Sequence, residues 1–121
     1  MTINSFRDLR VWQIGMELVE QIYRLTQLFP NHEQFGLTSQ LRRSAISIPS
    51  NIAEGHVREY LKEYLYHVSV AQGSLAELQT QVEIAERLSY LPHDQSEQIL
   101  KTAESLSRQL YALRNSLSRR G

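Results

Sequence analysis

The chain has 121 residues, with 13 basic and 13 acidic side chains and a formal net charge of zero. This balance excludes a strongly basic nucleic-acid-binding protein and an acidic tail protein. The absence of cysteine excludes a disulfide framework and thiolate chemistry. No signal peptide is expected at the N-terminus, and no apolar run approaches the roughly 18 residues that a membrane span needs. We therefore expect a cytoplasmic protein that does not enter a membrane, folded as one domain over residues 1–121.

Four segments with helical periodicity are separated by Pro30, Gly55 and Pro92. They cover approximately residues 8–29, 33–54, 59–89 and 95–117. Short connections between helices favour antiparallel neighbours. The predicted fold is therefore all-α, an antiparallel up-down-up-down four-helix bundle.

The first segment carries two apolar stripes. One stripe contains Leu9, Trp12, Met16, Val19 and Tyr23, and the other contains Val11, Ile14, Leu18, Ile22, Leu25 and Phe29. A helix on the outside of a bundle needs only one such stripe. We therefore predict that the second stripe covers another subunit, with an oligomer interface at Leu18, Ile22 and Leu25. The alternative is that this helix lies unusually deep in its own bundle.

The second segment places a row of polar side chains beside its apolar face. The row contains Arg43, Ser47, Asn51, Glu54 and Arg58. A guanidinium, a hydroxyl, an amide and a carboxylate can form a directional hydrogen-bonded chain. We interpret the row as a polar seam buried against another surface, and a solvated helix face is the alternative. Pro49 lacks a backbone donor and is expected to kink this helix nearby.

The third segment is an uninterrupted heptad pattern with Gly73 in its middle. Glycine there costs about 1 kcal/mol relative to alanine, which predicts close approach by another backbone. Ser74 and Glu77 would then face the polar seam, where Glu77 could meet Arg43 or Asn51. The predicted seam thus comprises Arg43, Ser47, Asn51, Glu54, Ser74 and Glu77. The alternative for Gly73 is a plain packing notch.

The fourth segment begins with a capping signal, Asp94 followed by Glu97. From Ser105 onward its cations have no acidic neighbour in sequence, and these are Arg108, Arg114, Arg119 and Arg120. Repeated around an oligomer, they would form a basic rim that contacts phosphates without sequence preference. The alternative is that these cations only interact favourably with the negative, C-terminal end of the helix dipole.

Signatures of catalysis and of cofactor binding are not found. None of the histidines follows a glutamate by three residues, the spacing of bundle di-iron sites. Glu63 and His67 could supply half of a metal site, but a simple surface or interface pair is favoured. The glycines form no phosphate-binding loop, and no serine lies in a nucleophile elbow. We expect a protein without enzymatic activity, cofactor or metal, with an undetected metal or enzyme site in the polar seam as an alternative.

Four stretches together, residues 33–37, 40–43, 47–55 and 71–78, resemble the 23S rRNA intervening-sequence proteins, a family of small bacterial four-helix bundles. The resemblance extends from about Phe6 to about Leu117, and residues 51–55 are its most specific part. Two positions depart from the family pattern. Tyr60 replaces a small hydroxyl residue, and Ser89 replaces a common glycine.

The resemblance implies a subunit of a barrel-shaped homopentamer. The family is also similar to accessory proteins of diversity-generating retroelements, which bind nucleic acid as similar barrels. We therefore expect a non-enzymatic homo-oligomeric binding or scaffold protein whose partners are further copies of itself and RNA or DNA. The alternative is an adaptor that docks another protein on the spare apolar stripe of the first helix.

Overall fold

The computed structural model describes residues 5–120, which contain helices and no strand. The helices are α1 (Arg10–Thr26), α2 (Leu37–His56), α3 (Leu61–Arg87) and α4 (His93–Ser118). Short 3-10 turns at Phe6–Asp8 and Asn31–Glu33 precede α1 and α2. Residues 1–4, on which the expectation about a signal peptide largely depends, and Gly121 lie outside the described residues. The prediction of an all-α fold is confirmed.

Helix α2 packs against α1 and α3, and α4 packs against α3 and α1. Near the start of α2, Arg42 contacts Thr26 at the end of α1. Along α2 the partners on α3 run backwards in sequence, since Ser44 bonds Gln81 whereas Asn51 bonds His67. These contacts make α2 antiparallel to both of its neighbours.

The core is a single apolar cluster to which every helix contributes one face. The largest fully buried side chains are Leu18, Ile22, Leu41, Ile48, Ile52, Leu75, Leu78, Leu106, Leu110 and Leu117. Burying a side chain of this size stabilises the fold by about 1.5–3 kcal/mol. No helix among the described residues is long and apolar enough to cross a membrane.

The assignment of α1's two stripes is reversed in the structure. Leu18 and Ile22 are completely buried and Leu25 is 7% exposed, all within the core of one chain. The predicted oligomer interface at these three residues is therefore wrong. The other stripe lies on the outside, where Met16 and Tyr23 are each 37% exposed.

Helix α2 begins later than predicted because Glu33 caps it. The Glu33 carboxylate accepts a hydrogen bond of 3.0 Å from the backbone N–H of Leu37. A Cβ atom at Gly36 would lie only 2.6 Å from that carboxylate. Gly36 therefore leaves the space that lets Glu33 reach the first N–H groups of α2.

Gly55 does not end α2, contrary to expectation, but lies within it. A Cβ atom here would lie 2.9 Å from the Cβ of His67 and 3.0 Å from the ring of Tyr64. The glycine thus permits close approach of α2 and α3. Pro49 is buried inside α2, with its ring against Gly15 of α1. The kink at Pro49 stays a prediction.

The connection between α3 and α4 also departs from the predicted boundaries. Ser89 adopts a left-handed conformation, φ 63°. The N–H of Tyr90 donates to the carbonyl of Ala85 and that of Ser89 to the carbonyl of Glu86, which closes α3 in a Schellman motif. Pro92 then occupies the N-cap position of α4 with no side-chain cap. The capping signal at Asp94 and Glu97 was therefore wrong, because Asp94 already lies in the first turn.

Candidate functional site

Four of the predicted seam residues take part in hydrogen bonds or ion pairs at the contact of α2 with α3. The hydroxyls of Ser47 and Ser74 lie 2.8 Å apart. The Asn51 amide donates to the Ser47 carbonyl at 2.8 Å and to the Ser47 hydroxyl at 3.1 Å. Its oxygen therefore faces Nδ1 of His67, at 2.9 Å. This orientation makes Nδ1 the donor and leaves Nε2 directed towards Glu54, 3.6 Å away.

Glu54 sits where this hydrogen-bonded chain reaches solvent. Its carboxylate pairs with Arg58, which also lies 3.9 Å from Glu63. The side chain of Glu54 is 48% exposed, so water screens these ion pairs. The seam is thus hydrogen-bonded within the chain at its centre and solvated at this end.

The remaining two seam residues, Arg43 and Glu77, lie outside the hydrogen-bonded chain. Both are exposed and line a groove of about 420 Å³ between α2 and α3. Within residues 5–120 neither forms an ion pair, so the predicted pairing of Glu77 with Arg43 is wrong. Pairing of Glu77 with Asn51 is also wrong, because the Asn51 amide is already engaged by Ser47 and His67.

Sequence reasoning missed His67 as a member of the seam. It interpreted this residue as a simple surface or interface pair with Glu63, whereas the imidazole is largely buried against Asn51. The available signal was spacing, since His67, Ser74 and Gln81 recur every seven residues on α3 and all three bond α2. In the part of the chain that the structure describes, no three His, Asp or Glu side chains converge to hold a metal ion.

The four arginines in and just after α4 have different surroundings. Arg108 pairs at 3.0 Å with Glu104, an acidic neighbour that the prediction overlooked. Arg114 contacts the Gln72 side chain at 3.4 Å. Arg119 and Arg120 are exposed at the end of the bundle. Burial raises the pKa of Tyr64 at the start of α3, and the positive charge of Arg120 acts against that rise.

An apolar groove of about 350 Å³ runs between the outer faces of α1 and α2. Its lining consists of Trp12, Met16, Val19, Ile46, Pro49, Ser50 and Ala53. Met16 is 37% and Ile46 is 42% exposed. The sequence showed the α1 half of this surface as a stripe, but the α2 half was not predicted. We call this surface the outer groove.

Comparison with known proteins identifies a solved structure with a similar fold and a matching family. A solved structure from Bacteroides thetaiotaomicron, described as a protein of unknown function from the S23 ribosomal protein family, superimposes with a TM-score of 0.81. The two share 22% identity over 87% of this chain and 95% of the other, which supports the fold alone. No functionally curated protein matches the chain. The family described as 23S rRNA-intervening sequence protein matches residues 7–112, and the chain therefore belongs to that family.

Proposed function

We propose that the protein is a non-enzymatic scaffold that assembles with further copies of itself through the outer groove and binds nucleic acid through the end of α4. The number of subunits that the family resemblance implies is five. In this assembly the seam between α2 and α3 has a structural role, and the outer groove is the functional surface.

The outer groove is the observation that carries the proposal. Met16 and Ile46 leave large apolar side chains in water, and the adjoining Trp12 is only partly covered. No Asp, Glu, Lys or Arg belongs to the lining. Interface cores are depleted in charged residues and enriched in aromatic residues and methionine. An apolar groove of this composition supports a protein-protein contact.

The mass of the protein in solution tests self-association. We expect an oligomer for the parent chain and a monomer for the double variant Met16→Glu, Ile46→Glu, because two carboxylates would be buried without partners in the interface. Both positions are partly exposed, so the variant should keep its helical circular dichroism spectrum. Leu28→Glu is the matched control, since Leu28 is 77% exposed and lies outside the outer groove. A parent chain that is monomeric at micromolar concentration would contradict the proposal.

The adaptor hypothesis concerns the same surface. An amphipathic helix from another protein fits an apolar groove between two helices as well as a second copy does. A monomeric parent whose outer groove captures a separate protein would favour the adaptor, and an oligomeric parent would favour self-assembly. The adaptor would then dock on the stripe containing Trp12, Met16 and Val19.

A further inference from the structure

A third groove, of about 460 Å³, lies between the end of α1 and the start of α2. The residues that matter here are Tyr23, Phe35, Thr38, Arg42 and Arg43. Its volume is within the range of about 300–1,000 Å³ that is typical of small-molecule sites. We call it the arginine groove.

The arginine groove carries two positive charges and no carboxylate in its lining, and Arg43 also lines the groove between α2 and α3 that contains Glu77. Its lining includes Arg42 and Arg43 and no acidic residue. Among the described residues neither arginine forms an ion pair. Two guanidinium groups in one acid-free groove favour an anion, and phosphate fits their fork of donors.

Arg42 is held in place before any ligand arrives. Its Nε donates a hydrogen bond of 2.8 Å to the buried hydroxyl of Thr26. Its guanidinium carbon lies 4.4 Å from the centre of the Tyr23 ring. Among the residues that the structure describes, one further hydrogen bond, of 3.5 Å to the Tyr23 carbonyl, engages a terminal nitrogen. The other terminal nitrogen is therefore available to a ligand at little cost in side-chain entropy.

Thr38 and Phe35 also line the arginine groove. Thr38 is 8% exposed and contributes a hydroxyl group to the lining. Phe35 is 92% exposed, although it lies in a turn ordered by a hydrogen bond from Gly36 to Glu33. The hydroxyl offers a directional contact, and the ring offers a flat apolar surface for stacking.

We propose that the arginine groove binds a nucleotide unit, with its phosphate on Arg42 and Arg43 and its base stacked on Phe35. A free nucleotide and a nucleotide within a single strand share this chemistry. The proposal does not depend on the α4 arginines. The positive charge of Arg120 acts to lower the pKa of Tyr64, whose hydroxyl is 3.3 Å from His56 at the far end of α2. At the helical rise per residue, His56 is about 20 Å from Arg42 along the axis.

Calorimetric titration with AMP, adenosine, inorganic phosphate and a short single-stranded DNA tests the site. We expect AMP to bind more tightly than adenosine or phosphate alone. Phe35→Ala should weaken AMP binding about tenfold and leave phosphate binding unchanged, because it removes only stacking. Arg42→Gln and Arg43→Gln should weaken both. Arg24→Gln, an exposed arginine outside the groove, is the matched control and should change neither.

Phe35→Ala keeps the test decisive if Arg42→Gln unfolds, because an exposed ring contributes little to stability. If Phe35→Ala also weakens binding of the single-stranded oligonucleotide about tenfold, a single strand is the source of the nucleotide unit. A loss confined to AMP would identify a free nucleotide. The absence of saturable AMP binding, or equal AMP binding by Phe35→Ala and the parent, would overturn the proposal. So would binding of an acidic peptide under conditions in which AMP does not bind.

Discussion

The backbone of Ser89 ends α3 in a conformation that suits glycine better than serine. Its φ of 63° brings the side chain close to the following carbonyl oxygen. We expect Ser89→Gly to raise the free energy of unfolding by about 1 kcal/mol. Urea unfolding followed by circular dichroism measures the change. Ser89→Ala retains the Cβ atom and should show no such gain. A glycine variant no more stable than the parent would argue against strain at this position.

Glu33 makes the stability of the fold depend on pH. The N–H of Leu37 and then the hydroxyl of Tyr90 hold the pKa of Glu33 below its usual value of 4.5. A group whose pKa is lowered on folding contributes stability above its unfolded pKa and loses it as the pH falls through the folded value. We therefore expect Glu33→Gln to unfold more readily than the parent at neutral pH.

The difference between Glu33→Gln and the parent should shrink below pH 4.5, where the parent carboxylate also takes up its proton. Thermal unfolding across a pH series provides the measurement. Glu17→Gln, at an exposed position of α1, is the control and should follow the parent. A difference that is independent of pH would mean that the carboxylate charge does not cap α2.

At this scale the sequence indicated which residues matter but not why. The resemblance included Glu33 and Gly36, but their roles as cap and as open space appear only when the chain turns back on itself. The same holds for Phe35, whose ring is apolar in composition and yet lies in water. Local pattern cannot distinguish a core phenylalanine from an exposed one in a turn.

The helices α2 and α3 carry glycines whose replacement by alanine should have opposite effects. A Cβ atom at Gly55 would meet the Cβ of His67 and, at 3.3 Å, the backbone oxygen of Tyr64. A Cβ atom at Gly73 would meet nothing within 4 Å. We expect Gly55→Ala to destabilise the protein by about 1–3 kcal/mol through overpacking. Gly73→Ala should stabilise it by up to about 1 kcal/mol through helix propensity.

Each glycine variant is the control for the other, because the chemical change is the same in both. Chemical denaturation measures the free energy of unfolding of each variant. Changes of opposite sign relative to the parent would confirm the prediction. If Gly55→Ala were neutral, the close contact of α2 with α3 would have to relax freely. The close approach predicted at Gly73 is not found within the described chain, since that position is open.

Helices could be predicted from periodicity, but the buried face of α1 could not. Both stripes of that helix are apolar and either could have faced the core. What decides is the neighbour, because α2 approaches α1 at Gly15, against the ring of Pro49. That approach directs Leu18 and Ile22 inwards and leaves Met16 outside.

At the scale of the whole molecule, the nucleic-acid binding that we propose for the end of α4 would depend on assembly. A chain with zero net charge offers few phosphate contacts, and Arg119 and Arg120 are adjacent exposed cations just after the end of α4. Several copies on one rim would bind through avidity, and affinity should fall steeply with salt as counterions are released. We expect Arg119→Gln with Arg120→Gln to abolish the shift of labelled double-stranded RNA or DNA, whose bases cannot stack on Phe35, in a gel without changing the mass of the oligomer.

Arg108→Gln is the control for this experiment, because Arg108 is already paired with Glu104. It should leave nucleic-acid binding nearly unchanged. An intact oligomer that shifts neither RNA nor DNA at low salt would remove the α4 end from the proposal. The protein would then be a scaffold for another class of partner.

The bundle was predictable as a whole because four periodic segments with short connections allow few arrangements. The grooves on its surface could not be predicted from the sequence. The outer groove and the arginine groove each combine residues from α1 and α2, so their outlines depend on how those helices approach one another. Only the α1 half of the outer groove left a visible pattern in the sequence.

The seam between α2 and α3 has a consequence for alignment. Apolar side chains on α3 repeat every seven residues, so sliding α3 by one heptad, about 10 Å, would bring apolar side chains back into register. The polar partners would not return, because the heptad positions carry three different chemistries. Gln81 meets Ser44, Ser74 meets Ser47, and His67 meets Asn51. After this shift His67 would lie opposite Ser47, and Asn51 would lie beyond the start of α3. The seam therefore selects one register of α3 on α2, which the apolar side chains alone would not distinguish from the register one heptad away.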